Sequence, residues 1–379
     1  MVLVYKFRES TLTDENFDLN TTYYNGGTYT HISFFVYSDD NWASDTTDWG
    51  VIYGPQNKLI FNVKFFYGKK KNKILNHSWN LRFNRYINYP NQVKKLKRTD
   101  IAHVIDHQYA HLVKNIQAKY KIITVHDLIP IKFSKEIGKN PYLVKHSHSY
   151  LKYFDQIIAV SKNTKRDIIK YTDCPSKKIK VLHSSVEKSF NNQKIVKRKI
   201  CNKYKIPFDH KKILIIGSSF YKNHKTSIKV LKKLKKIFNN KISLIKLGNK
   251  LDFKIENDLK QNIIELKHLK REEISNIYKI CDVLLFPSIY EGYGLPLIES
   301  INTELPIVAS NIKTTKEILG NYPLLFNPKD SKSMSLGIEK LINNKNFNLK
   351  IKKKLNIKKN NFKEEIYFTK LKNLYLKGL

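Results

Sequence analysis

From residue 211 onward the chain alternates short apolar runs with longer stretches in which apolar residues recur every three or four positions. "KKILIIGSS" (211–219) is an apolar run ending near a glycine, and "HKTSIKVLKKLKKIFNN" (224–240) places Ile228, Leu231, Leu234 and Ile237 on one helical face. The pattern predicts strand, turn and helix, and it repeats. Strands are expected at 241–248, 262–267, 283–288, 306–310 and 323–328, with helices at 271–281 and from Pro296. Short runs without polar alternation are buried on both faces, which predicts a parallel sheet covered by helices.

The same grammar begins near residue 100. Strands are expected at 100–106, 121–127, 156–161 and 178–185, with helices at 109–120 and from Asn163. Further upstream "VLVYKF" (2–7) and "LIFNVKFF" (59–66) read as strands, separated by loop-like "NTTYYNGGTYTH" and "DDNWASDTTDWG". The polar stretch 191–210, containing Pro207, reads as a linker between two domains, 1–190 and 211–360. Lys-rich helical segments follow residue 345, and 361–379 carries enough apolar residues to form a helix that docks on the first domain. A chain of 379 residues is long for one core and comfortable for two.

Composition then narrows the function classes. The formal net charge is +38, because Lys and Arg number 70 against 32 Asp and Glu. Lys far outnumbers Arg, and Asn and Ile are abundant, as an AT-rich genome dictates. Whatever its origin, such a surface attracts anionic lipid, nucleic acid or phosphorylated substrates. Arg-rich segments with interleaved aromatics are missing, so no specific nucleic-acid partner is expected. No apolar run approaches the ~20 residues that span a bilayer, and the first residues lack a signal-peptide pattern. The expected location is cytoplasmic, with peripheral attachment to an anionic membrane face. Cys174, Cys201 and Cys281 have no CxxC spacing and read as reduced thiols. His103, His107 and His111 cross a strand end into a loop, and no metal site is assigned to them.

The candidate chemistry concentrates in "FPSIYEGYGLPLIES" (286–300). The strand before it delivers the chain to the carboxyl edge of the sheet, where open α/β sheets bind ligands. Gly292 and Gly294 permit positive φ, and Pro296 suits the first turn of a helix. Free N–H groups of residues 294–298 then form an anion site suited to a phosphate. The flanking carboxylates, Glu291 and Glu299, are acceptors for hydroxyl groups. Together they suggest a ligand with a sugar on one side of a diphosphate and a ribose on the other.

This stretch resembles the E-x7-E segment of family-4 retaining glycosyltransferases, the glycosyl transferases group 1, in which the pattern runs P-S-x-x-E-G-F-G-L-P-x-x-E-A. The chain departs from it only at Tyr293 and Ser300. Further blocks follow the family's order, among them "ITVHDLIPIKF", "IIAVSKNTKRDI", "GSSFYKN" and "ELPIVASNIKTTKEILG". The resemblance implies the GT-B fold, two Rossmann-like doubly wound domains facing across a cleft. It implies retaining, metal-independent transfer of a sugar from a nucleotide-diphosphate donor to a hydroxyl of a glycan or lipid-linked acceptor, with no cofactor. Glu291, His126 and Lys222 take the catalytic roles by the same resemblance, at the donor sugar, the sugar pocket and the diphosphate. Glu299 holds the ribose, and Gly217, Gly292, Tyr293, Gly294 and Leu295 line the donor site. Two departures stand out. The family's Arg after the glycine of the Lys block is replaced by Ser218 and Ser219, and the glycine-rich loop after the first strand has only Asn25 to Gly27 in its place. An epimerase or phosphorylase of the same architecture, or a basic non-catalytic binding protein, are the competing readings.

Overall fold

Two sheets order the described residues of the computed structural model, which are 31–36, 49–53, 59–67 and 83–378 apart from 97, 139, 188 and 192. The "VLVYKF" run and Asn25 to Gly27 lie outside them. The chain divides into two units, residues 1–182 with 368–379, and residues 183–367.

The first unit holds strands β1 (His31–Val36), β2 (Trp49–Tyr53), β3 (Leu59–Tyr67), β4 (Thr99–Val104), β5 (Ala118–Val125), β6 (Gln156–Ala159) and β7 (Ile179–Val181). They lie in the order β2-β3-β1-β4-β5-β6-β7. Every pairing is parallel except β2 with β3. Only His31 of β1 and the first two residues of β2 fall in the stretches that read as loop; the rest of both strands lies where the sequence reading assigned no element, because short isolated runs carry no periodic signal. Ala102, Val104, Ile123, Val125, Ile157 and Ala159 of the central strands are buried together with Leu112, Leu151 and Phe154.

The helix expected at 109–120 is instead a short 3-10 helix, His107–Lys114, followed by the start of β5 at Ala118. Its backbone kinks at Tyr109 and is closed by Asn115. Apolar spacing alone cannot separate one turn of helix from the approach to a strand. From Phe368 the last helix, Glu364–Leu376, belongs to this unit. Its Tyr375 is buried and the hydroxyl meets Nδ1 of His103 at 2.7 Å, while Nε2 of His103 meets the Thr124 hydroxyl at 2.8 Å.

The second unit holds β8 (Lys211–Ile216), β9 (Ile242–Leu247), β10 (Ile263–Leu266), β11 (Val283–Phe286), β12 (Ile307–Ser310) and β13 (Leu325–Phe326), all parallel. Their order, β10-β9-β8-β11-β12-β13, is the doubly wound order in which the direction of winding reverses between β8 and β11. β9, β11 and β12 are buried along their whole length, which is why they read as mainly apolar runs, with Ser243 and Lys246 of β9 and Ser310 of β12 the polar exceptions.

On the His224–Ile237 helix Val230, Leu231 and Leu234 are buried, Ile228 is half-buried and Ile237 is exposed. The apolar stripe is therefore the packing face, and the lysines between its members point outward. Residues 191–210, expected as a linker, fall inside this unit. They carry the helix Lys197–Lys203, and buried Cys201 and Ile206 anchor it beneath an otherwise polar pattern.

Candidate functional site

The sheet reverses its winding between β8 and β11, the point at which such sheets bind ligands outside the carboxyl ends of their strands, and the loops leaving both strands carry Lys222 and Glu291. After β8 a 3-10 turn, Phe220–Lys222, leads through Asn223 in the left-handed region to the His224–Ile237 helix. Asn223 holds the turn in place, its side-chain amide donating to the carbonyls of Pro287 and Pro328 at 3.0 and 2.8 Å. The result is that Lys222 extends toward the β11 loop. Its ammonium donates to Oε1 of Glu291 at 2.7 Å, and the Ser288 hydroxyl donates to the same oxygen at 2.7 Å. Glu291 is itself fixed through its backbone, because the Thr314 hydroxyl donates to its carbonyl at 2.8 Å. Both side chains are largely withdrawn from water, 14% exposed for Lys222 and 8% for Glu291.

Of the two glycines in the β11 loop only Gly294 has φ in the left-handed region, at +98°, where it stands as N-cap of the helix Leu295–Asn302. A Cβ there would be strained and would press on Leu297 at 3.2 Å. The row of free N–H groups expected at 294–298 is smaller than the sequence suggests. Pro296 has none, and the Leu297 amide already donates to the Gly294 carbonyl at 2.9 Å. Tyr293, which departs from the family's Phe, is buried with its hydroxyl donating to the Ser184 carbonyl at 2.9 Å. Its ring stacks on His183, whose Nε2 pairs with Glu317 at 2.7 Å. The extra hydroxyl is thus satisfied and ties the loop to the segment that opens the second unit.

Glu299, the residue expected to hold the ribose, lies in the Leu295–Asn302 helix. It is buried, and both its oxygens are occupied. Arg271 donates to Oε1 at 2.9 Å and Tyr278 donates to Oε2 at 2.5 Å. Arg271 also donates to Glu187 at 2.9 Å and lies 4.6 Å over the Phe190 ring. Burial, and next the Glu299 charge, push the Tyr278 hydroxyl well above its ordinary range, so it stays a donor. Each carboxylate oxygen has a second lone pair, so Glu299 can still accept from a hydroxyl while held rigidly. Arg271 and Tyr278 escaped the sequence reading. They are seven apart on the helix Arg271–Ile280, two turns along one face, and that spacing is the signal that could have found them.

His126 lies in the first unit at the end of β5. Its Nε2 meets the Ile105 carbonyl at 2.8 Å, and since a carbonyl only accepts, that nitrogen carries the proton. In a ring that carries only this proton, Nδ1 is an acceptor. The three histidines at 103, 107 and 111 are separately engaged, with Tyr375 and Thr124, with Asp106 at 3.5 Å, and with the Arg85 carbonyl.

Residues 196–363 match the sequence model of the family described as glycosyl transferases group 1. The O-antigen chain mannosyltransferase RfbU of Salmonella typhimurium is 28% identical over 226 residues, 58% of this chain and 60% of that protein. The alignment therefore spans about three fifths of that relative. Among solved structures, sucrose-phosphate synthase from Thermosynechococcus elongatus superposes with a TM-score of 0.69 at 14% identity, covering 91% of this chain and 88% of its own. HepE of Anabaena in complex with UDP-glucose gives 0.66 at 13% identity, covering 93% and 100%. The likeness to these structures establishes the GT-B fold, and residues 196–363 carry the match to the glycosyl transferases group 1 family.

Proposed function

We propose that the protein is a retaining, metal-independent glycosyltransferase that moves a sugar from a nucleotide-diphosphate donor to a hydroxyl of a glycan or lipid-linked acceptor, in the synthesis of a surface glycan, lipopolysaccharide or glycolipid. The observation that carries the proposal is the Lys222 to Glu291 contact of 2.7 Å at the reversal point of the second sheet. A cation for phosphate and a carboxylate for sugar hydroxyls stand side by side at the one place where such a sheet binds ligands. RfbU is named a mannosyltransferase of the O-antigen chain, and HepE was crystallised with UDP-glucose, which supports the donor class and the kind of product.

In this reading the diphosphate draws the Lys222 ammonium and leaves Glu291 to accept from the sugar hydroxyls. The bond from the anomeric carbon to the phosphate oxygen breaks, the acceptor oxygen bonds to that carbon, and the acceptor proton passes to the leaving phosphate. Lys222 and the start of the Leu295–Asn302 helix stabilise the charge that develops there. Glu299, held by Arg271 and Tyr278, accepts from the ribose. His126 offers Nδ1 to the sugar, and the acceptor side is assigned to the first unit.

The enzyme is placed in the cytoplasm against an anionic membrane face. No helix among the described residues is long and apolar enough to cross a membrane. In this reading the attachment is electrostatic, through exposed lysines of the +38 chain. A thermal-shift screen against UDP-, GDP-, ADP- and TDP-sugars tests the proposal. One nucleotide class should raise Tm, since ligand at a hundredfold its Kd stabilises by about 2.7 kcal/mol. A flat response to all four classes overturns it.

A further inference from the structure

Strand β9 reads ISLIKL and is buried throughout, yet its fifth residue is Lys246. A lysine in the middle of a parallel sheet loses its hydration and persists only where something compensates. Here the ammonium donates to the carbonyls of Leu247 at 3.0 Å and Asn249 at 2.9 Å. The Leu247 carbonyl also accepts from the Gly217 amide at 3.0 Å. The charge is thereby fixed at the carboxyl edge of the sheet, beside the end of β8.

Two glycines meet at that edge. Gly217 has φ +90° and Gly248 has φ +102°. A Cβ built on Gly248 would stand 3.6 Å from the Lys246 ammonium, 3.5 Å from the Ser218 hydroxyl and 3.9 Å from the Gly217 Cα. A Cβ on Gly217 would collide with Cε of Lys222 at 2.8 Å. The bare backbone therefore forms a floor with Lys222 along one glycine, and Ser218 and the buried Lys246 beside the other. Gly248 itself is exposed, so a ligand atom can settle where a side chain would have been.

The family pattern has an arginine just after the glycine of this block, and here Ser218 and Ser219 follow Gly217. Resting on the donor-site reading above, we propose that Lys246 supplies the second positive charge of the diphosphate site, acting from beneath the Gly217 and Gly248 floor together with the Ser218 hydroxyl. The neighbours fit such a role. Burial lowers the Lys246 pKa to about 8, with Glu265 opposing the shift and Lys267 and Lys222 adding to it. His224 also faces this charge, and burial holds its pKa near 4, so it is neutral above pH 6. An arriving diphosphate favours the charged lysine. Its affinity should therefore be full below about pH 8 and fall as pH rises through that value.

The test is calorimetry on the full chain with the nucleoside diphosphate of the responsive class and with the matching nucleoside. Lys246→Met should weaken the diphosphate roughly tenfold to a hundredfold, the loss of one charged contact, and leave the nucleoside within twofold. Wild-type diphosphate affinity should fall between pH 7.5 and pH 9.5, above the phosphate's own ionisation near ~6, with no such fall for the nucleoside. The wild-type slope decides by itself if Lys246→Met does not fold. Equal diphosphate binding by Lys246→Met, or equal pH profiles for the two ligands, overturns the inference while leaving the donor site standing. Failure of the wild type to bind any nucleoside diphosphate overturns the donor site and this inference together.

Discussion

Replacing Glu299 by Ala should cost the fold as much as it costs the ligand. The carboxylate is buried and holds Arg271 at 2.9 Å and Tyr278 at 2.5 Å. Removing one partner of a buried ion pair costs about 3–5 kcal/mol. Arg271 is 34% exposed and keeps Glu187, which reduces its share. The Tyr278 hydroxyl has no such outlet and would be left buried without an acceptor, at about 1–3 kcal/mol. A total near ~3 kcal/mol follows, or a fall in Tm of roughly 6–12 °C at about 2–4 °C per kcal/mol for a unit of this size. Tyr278→Phe should rescue part of it, since the orphaned hydroxyl is gone, and the double mutant should be less destabilised than the two single losses added. Differential scanning calorimetry on the three variants measures this directly. A fall in Tm below 2 °C for Glu299→Ala would show that Arg271 and Tyr278 do not depend on this carboxylate. Ribose binding is then measured well below the variant's Tm, where the nucleoside diphosphate should bind about 1–3 kcal/mol more weakly.

Glu291→Gln keeps an acceptor for Lys222 and Ser288 but removes the charge paired with a largely buried ammonium, so Tm should fall; assayed well below that Tm, kcat should fall about a hundredfold, equivalent to ~2.7 kcal/mol, with nucleoside diphosphate affinity nearly intact, and an unaltered kcat would remove Glu291 from the sugar. In the proposed reading Lys222, Lys246 and a helix start carry the diphosphate charge, so transfer should survive EDTA, and full loss restored by manganese would contradict that assignment. His103 is neutral in the fold, its pKa lowered to about 3 by burial and then by His126. The unfolded chain takes the proton first, so stability is full above about pH 6.5 and falls below it at up to ~1.4 kcal/mol per pH unit. Denaturant titrations from pH 6.5 to 5 should show this slope, and His103→Phe should flatten it; an equal slope in the variant refutes the assignment. Anionic vesicles should bind the +38 chain, each lysine near the surface contributing about 1 kcal/mol, and release it at a few hundred millimolar NaCl. Salt-insensitive binding, or equal binding to neutral vesicles, rules the electrostatic account out.

What could be read from the sequence follows a physical line. Strands such as β9, β11 and β12 are buried on both faces and show as apolar runs, and the β11 loop declared itself through Gly294 and Pro296 at the carboxyl end of one of them. Contacts between elements left no such trace. The pairing of Glu299 with Arg271 and Tyr278 joins two helices separated by β11, and only the winding of the sheet brings them together. Lys246 was hidden for the opposite reason. A single lysine inside an apolar run looks like a strand edge turned to water, and only its carbonyl partners show that it is sealed. Tyr293 reads as a conservative replacement of Phe, while its hydroxyl is committed to Ser184.

The central claim, that the loops leaving β8 and β11 hold the donor's diphosphate, is tested most directly by a crystal structure of the full chain with the nucleoside diphosphate of the class selected by thermal shift. The account predicts a diphosphate over Gly217, within hydrogen-bond distance of the Lys222 ammonium, with the 2.7 Å contact from Lys222 to Glu291 opened or shared with the ligand. A nucleotide bound elsewhere, with that contact intact, contradicts it.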